Sequence, residues 1–384
     1  MTPRERMIAA MEGRPVDMIP LAPYFWGAEY AWRLMGMPIW RLLFGPHGLG
    51  VQMQEALLRR HDCDWVLPLH DGSGWLEGKE VVREDPDKVV FRESSSGKEF
   101  VFHMEGHWLV EAGEENDARV CNEGSNVEPP RNRTQADDWI EQHFPGLDSP
   151  RPNITPDLNL RQLFPDRFLC RCMRAPFAGL AYSLGFEPAL MMLNDNPSLC
   201  AYMTERLMGN AAWDAAKAAA DGVDGGLMCD SYASADIMSP ECYANWIAPA
   251  HKTVSDELHR AGIKSIIYNT GNMLPLLETI RAMGYDAVSV EERIKGVEMD
   301  IGEVRRSIGP DVCLFGNFDA YLLLQGDRER IKSEVRRQIK AGMVEKSRFI
   351  MGTGSPICDG TEPDAIDFWI SETRAASCKA QKNW

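Results

Sequence analysis

At 384 residues the chain fits either one closed α/β barrel or two smaller domains, and Lys+Arg 41 against Asp+Glu 57 leaves a formal charge of −16. That balance repels a phosphate backbone and an anionic membrane surface alike, which argues against nucleic acid and membrane partners. No apolar run reaches the roughly 20 residues that span a bilayer, and ten cysteines at irregular spacing without a secretory leader read as reduced thiols of a soluble cytoplasmic protein.

Residues 3–12 form a short helix, and Asp17-Met18-Ile19-Pro20-Leu21-Ala22-Pro23 is a compact extended segment, read as the first strand, with Tyr24, Phe25 and Trp26 at its carboxyl end. Helical stretches follow at about 28–44 and 48–61, and Asp64-Trp65-Val66-Leu67-Pro68-Leu69 makes a second strand ending in His70-Asp71. From Trp75 the period changes to two, as in Val89-Val90-Phe91-Arg92 and Phe100-Val101-Phe102-His103, with Asp85-Pro86-Asp87 and Ser94-Ser95-Ser96-Gly97 as turns. This predicts a β-meander, continued by a polar, proline-rich loop with a short helix near 135–143, so that residues 75–155 are an insertion.

Six further strand-like runs alternate with helical ones: 167–172, 225–229, 263–268, 287–290, 312–315 and 348–351. Among the helices, Pro240 to Ala261 carries Trp246, Ile247, Val254 and Leu258 at helical spacing. Eight alternating units predict a single (β/α)₈ TIM barrel over 1–384, with the β-meander inserted after strand 2.

Ligands of such barrels bind at the carboxyl ends of the strands. Those positions hold His70 and Asp71, Arg174, Asp230, Tyr268 with Asn269, Glu291 with Glu292, Asn317 with Asp319, and Thr353 with Ser355. Strands must end in turn-forming polar residues, so each has a bland reading as a cap or turn beside the functional one. Asp230 and Asp71 favour the site, Asp71 because Gly72-Ser73-Gly74 lets backbone approach a ligand, and one carboxylate of Glu291-Glu292 suits a metal or a proton transfer. His103 and His107 share a strand face but are too far apart for an easy shared zinc, and Cys170-Arg171-Cys172 reads as packing. The glycine-rich pieces Asp221 to Gly226 and Gly352-Thr353-Gly354-Ser355 match no nucleotide fingerprint, and there is no nucleophile elbow.

Ala175-Pro176-Phe177-Ala178-Gly179-Leu180-Ala181-Tyr182, Cys229-Asp230-Ser231-Tyr232-Ala233 with Met238-Ser239-Pro240, then Gly316-Asn317-Phe318-Asp319 and Gly352-Thr353-Gly354 resemble, in order and spacing, the uroporphyrinogen decarboxylase superfamily. The resemblance implies a (β/α)₈ barrel and one of two activities: cofactor-free decarboxylation of uroporphyrinogen, or methyl transfer to or from a corrinoid, often with zinc. Asp71 and Tyr182 match the decarboxylase aspartate and tyrosine. Tyr24-Phe25-Trp26-Gly27-Ala28-Glu29-Tyr30 replaces that branch's arginine-rich motif, and Thr353 stands where its histidine would be. A polyanionic porphyrinogen would then be poorly neutralised.

The methyltransferase branch binds zinc through His-x-Cys after the fifth strand and Cys after the eighth. Here those positions read Tyr268-Asn269-Thr270 and Ser355, with Cys358 three residues on, so zinc would need Asp230, Glu291, Glu292 or Cys358. The resemblance thus implies a methyltransferase or demethylase moving a methyl group from a small methylated substrate to a corrinoid on a partner protein. Its expected substrate-binding residues are Tyr24, Phe25, Trp26, Tyr268, Asn269 and Thr353. Its expected catalytic residues are Asp71, Tyr182, Asp230, Asn317 and Asp319. The alternatives are a decarboxylase of a porphyrinogen or a smaller carboxylate, and a non-enzymatic binding barrel; a homodimer is left open.

Overall fold

The computed structural model describes residues 1–25, 29–67, 73–105, 108–113, 128–145, 147, 160–294, 296–344 and 348–382. Seven parallel strands follow one another round a curled sheet: β1 (Trp65–Val66), β6 (Phe168–Met173), β7 (Gly225–Cys229), β8 (Lys264–Asn269), β9 (Ala287–Val290), β12 (Cys313–Phe315) and β13 (Phe349–Ile350). The segment 20–22 closes the ring. Ala22 N donates to Met351 O and Met351 N to Pro20 O, both at 2.8 Å, while Asp64 N donates to Leu21 O at 2.8 Å on the other side. The expected (β/α)₈ barrel is therefore present, with the proline-flanked segment as its eighth strand.

Alternation along each strand sorts the core into two layers. Phe168, Cys170, Leu227, Ile266, Tyr268, Ala287, Cys313, Phe315 and Ile350 fill the barrel interior, and Met7, Ala10 and Met11 of the first helix (Pro3–Glu12) pack against them from the amino-terminal end. Their strand neighbours Met228, Ile267, Val288, Leu314 and Phe349 belong to the outer core shared with the helices. Asp64, fully buried at the amino-terminal end, is held by Arg6 and by Arg374 at 3.0 Å and accepts from Leu21 N at 2.7 Å.

Local chemistry explains two departures from the expected helices. The stretch 28–44 is broken into Glu29–Met35 and Ile39–Phe44, because Gly36 takes φ 64° and Pro38 cannot continue the first helix. The stretch 240–261 contains a π-helical turn at Tyr243–Ile247, just before Pro249, whose missing N–H interrupts the regular ladder.

Between β1 and β6, β2 (Lys79–Glu84), β3 (Lys88–Glu93), β4 (Glu99–His103) and β5 (Trp108–Glu111) form the expected antiparallel meander. It is anchored by aromatics, with Phe91 and Phe102 edge-on to Phe44 at 6.3 and 5.2 Å. A two-stranded ribbon, β10 (Arg293–Ile294) and β11 (Val297–Glu298), follows β9. The helix at Arg133–His143 lies where the sequence placed one.

Gly225 and Gly226 sit within β7, where they allow close packing. A Cβ on Gly226 would lie 2.6 Å from Leu258 Cδ2 and 2.9 Å from Met173 Cγ. Gly226→Ala is expected to destabilise the barrel by about 1–3 kcal/mol through overpacking, read as a lower urea midpoint at unchanged slope.

Candidate functional site

The carboxyl ends of the strands bring most of the singled-out residues to one end of the barrel, but many of them are spent on holding it together. The helix Pro176–Leu184 begins with proline and has no side-chain cap of its own. Asp230, fully buried after β7, supplies one from a neighbouring strand: its Oδ2 accepts from Phe177 N at 2.8 Å and its Oδ1 from Ala178 N at 2.9 Å. His251 Nε2 donates to the same Oδ2 at 3.0 Å, and Tyr243 Oη donates to His251 Nδ1 at 3.0 Å. The expected catalytic Asp230 therefore has both oxygens engaged inside the fold.

Asn317 is placed similarly. Its Nδ2 donates to Met299 O at 2.6 Å and Glu291 O at 3.1 Å, and its Oδ1 accepts from Gln338 Nε2 at 2.9 Å. It ties the loop after β9 to the end of β12. Asn269 accepts from Asp230 N at 3.1 Å and donates to Ala233 O at 3.0 Å. Thr353 Oγ1 accepts from Tyr24 N at 3.1 Å.

The expected aromatic mouth departs from its sequence reading. Tyr24 and Tyr268 are 1% and 4% exposed and stack with centroids 5.0 Å apart, donating to Ser289 Oγ at 3.1 Å and Gly354 O at 3.0 Å, so they form a floor below the mouth. Phe25 stacks on Tyr30 and His61, each at 5.6 Å, in the outer layer. The rings that do reach solvent come from elsewhere. Tyr182 is 70% exposed and meets Tyr232 edge-on at 5.5 Å, and Phe186, 42% exposed, lies 4.7 Å from Tyr232. Asp71, Trp26, His70 and His107 lie outside the described residues.

A group with unusual acidity remains. Glu292, after β9, accepts a hydrogen bond from Ser355 Oγ at 2.9 Å, and its carboxyl is pushed up to about 7 by burial, with Asp319 and Glu291 adding to the rise. Gly354 lies close against it, since a Cβ there would sit 2.2 Å from Glu292 Oε2. Asp319 accepts from Tyr321 N at 2.8 Å as the cap of Ala320–Gln325. Burial, with the carboxylates of Glu292 and Asp319, raises the Cys358 thiol. Glu292, Asp319 and Asn317 line a polar cleft of 200 Å³. At neutral pH Glu292 can therefore give or take a proton without a large free-energy cost.

The expected metal set is not assembled. Among the described residues no group of three or more His, Cys, Asp or Glu side chains comes together to hold a metal ion. Glu291 is instead turned to Gly271 N, accepting at 2.9 Å, and Glu292 to Ser355. Sequence reading missed His251, although its spacing with Val254 and Leu258 puts it on the apolar face of its helix, a signal for a buried, partnered histidine. It also missed Ser289 and Gln338, whose partners lie on other elements.

A model of the uroporphyrinogen decarboxylase (URO-D) family matches residues 162–376. The chain is 28% identical over 199 residues to uroporphyrinogen decarboxylase of Streptomyces coelicolor, covering 50% of this chain and 53% of that one. It is 26% identical over 123 residues to the methylcobamide:CoM methyltransferase MtaA of Methanosarcina barkeri, covering 32% and 34%. The chain thus spans about half or less of the length of these curated relatives. A solved methyltransferase from Methanosarcina mazei superposes with a TM-score of 0.64 at 17% identity, covering 97% of this chain and 98% of that one, which shows the shared barrel fold. With the family match extending from the helix before β6 through the last helix, and the barrel closed as that fold requires, the chain belongs to the uroporphyrinogen decarboxylase (URO-D) family.

Proposed function

We propose that this barrel moves a methyl group from a small methylated substrate to a corrinoid carried by a partner protein. The observation that carries the reading is Glu292 at the carboxyl end of β9, whose carboxyl is pushed up to about 7 by burial, with Asp319 and Glu291 adding to the rise. A proton donor poised near neutral pH suits a methyl donor whose leaving heteroatom must be protonated. The methylcobamide:CoM methyltransferase of Methanosarcina barkeri, one of the relatives, supports it.

In this reading protonated Glu292 donates to the heteroatom of the methyl donor as the bond from that atom to the methyl carbon breaks, so the leaving group departs neutral. Ser355 orients the carboxyl, and burial, with Asp319 and Glu291 adding, keeps a substantial fraction of it protonated near pH 7. A corrinoid on the partner protein, when bound, would supply the cobalt nucleophile for the methyl group. The exposed rings of Tyr182, Phe186 and Tyr232 offer an apolar rim fitted to a flat macrocycle. The donor set described above does not fit zinc, so no step passes through it.

Incubation with reduced cobalamin and a panel of methoxy, methylamine and methylthio compounds is expected to produce methylcobalamin, seen by absorbance. A flat spectrum across the panel would overturn the proposal. A second reading, decarboxylation with Asp71 and Tyr182, rests on the names of most of the curated relatives. Chromatography of porphyrinogen and aromatic-acid incubations tests it by looking for products that have lost carbon dioxide.

A further inference from the structure

Two thiols on neighbouring barrel strands have no role in the chemistry above. On β6, Phe168 and Cys170 point into the barrel and are buried, so alternation puts Cys172 on the same inner face, one step nearer the mouth. On β7, Leu227 is interior and Cys229 is the next inner position, packed at the edge of the same core. The register pairs Cys172 with Leu227, so the two cysteines are diagonal neighbours. Cys172 is exposed, Cys229 is partly exposed, and Cys229 Sγ lies 3.7 Å from Ser231 Oγ.

We propose that Cys172 and Cys229 form a two-thiol clasp at the barrel mouth that binds soft, thiophilic species such as trivalent arsenicals. The spacing selects this chemistry. A strand separation of about 4.8 Å and a two-residue rise of about 6.6 Å put the two Cα atoms roughly 8 Å apart, beyond the ~4.4–6.8 Å that a disulfide tolerates. One bridging arsenic with two bonds of about 2.3 Å at the roughly 100° angle of a pyramidal trivalent centre holds the sulfurs about 3.5 Å apart, well beyond the S–S bond length of about 2.05 Å. The pair therefore resists closing on itself but accepts an inserted atom.

The surroundings add a second filter. Desolvation among the surrounding protein atoms raises the Cys172 thiol to about 11 and that of Cys229 to about 12. Cys172 is itself one of the groups that raise Cys229, which places the two within electrostatic reach. Both thiols are thus protonated at neutral pH and slow toward oxidants and alkylating agents. A species that forms two strong bonds to sulfur overcomes this. With a monosubstituted arsenoxide, two S–H bonds and the As=O bond are replaced by two As–S bonds and one molecule of water, with no change in oxidation state.

The test is native mass spectrometry of the full chain with phenylarsine oxide. One adduct per chain is expected, displaced by 2,3-dimercaptopropanol but not by the same concentration of a monothiol. Cys172→Ser and Cys229→Ser are each expected to weaken binding at least a hundred-fold, while Cys242→Ser and Cys358→Ser leave it unchanged. Circular dichroism checks that the variants fold. Absence of an adduct on the wild-type chain, or unchanged affinity in both Cys172→Ser and Cys229→Ser, overturns the clasp. None of these outcomes depends on which methyl donor the barrel uses.

Discussion

Glu292→Gln is expected to slow methyl transfer by about a hundred- to ten-thousand-fold, the usual contribution of a positioned general acid. The pH profile carries the sharper prediction. The carboxyl is raised from 4.5 to about 7, so the acid form predominates below that value. The wild-type rate should be highest in weakly acidic buffer and fall as pH rises through about 7, whereas the residual rate of the glutamine variant should lack that limb. Asp319→Asn, which removes one of the carboxylates that raise Glu292, should move the limb to lower pH without abolishing activity. An unchanged limb in Glu292→Gln would exclude this residue as the acid.

The same shift makes a statement about stability. The folded state holds the Glu292 proton more tightly than the unfolded chain does, so stability declines as pH rises from about 4.5 to about 7 and stays lower above it. At about 1.4 kcal/mol per pH unit the upper limit is about 3.5 kcal/mol. The glutamine variant, which can still accept from Ser355, should be more stable than wild type by about 1–3 kcal/mol at pH 8–9 and close to it at pH 4–5. Urea denaturation at the two pH values measures this. A variant that is less active yet more stable in alkaline buffer is the signature of a group strained for function.

How much of this could be read from the chain alone depends on how far each signal reaches. The eight strands were legible because parallel strands buried on both faces are short apolar runs that end in polar turns, as 225–229 and 287–290 do. The seven-residue Asp17 to Pro23 segment was also found, although only 20–22 makes the bonds that close the ring. At the mouth the sequence located polar side chains but could not say what they bond to. Asn317 and Thr353 look like site residues from their strand-end positions, yet their partners, Gln338 and Tyr24, lie on other elements. The acidity of Glu292 was also hidden, because it comes from burial and from Asp319, a residue distant in sequence. The clasp shows the same limit: Cys170 and Cys172 were visible as a pair, but the useful partner of Cys172 comes from the next strand.

Asp230→Ala is expected to destabilise the protein by about 3–5 kcal/mol. The carboxylate is fully buried and accepts from Phe177 N, Ala178 N and His251 Nε2. Alanine leaves all three donors without that acceptor and removes an anion from a helix N-terminus. The urea midpoint should fall with little change in slope. Asp230→Asn keeps one oxygen acceptor but turns an N–H₂ toward groups that also donate, so it should cost less than alanine and more than a surface substitution. If Asp230 acted only on substrate, both variants would lose activity and keep the wild-type midpoint. A fall in the midpoint with wild-type turnover per folded molecule would instead make Asp230 the fastening for the helix that carries Tyr182. His251→Ala separates the parts of that fastening, because it removes one donor to Asp230 and leaves the two backbone bonds to Pro176–Leu184 intact. Its cost should be smaller than that of Asp230→Ala, and the exposure of Tyr182 should change less.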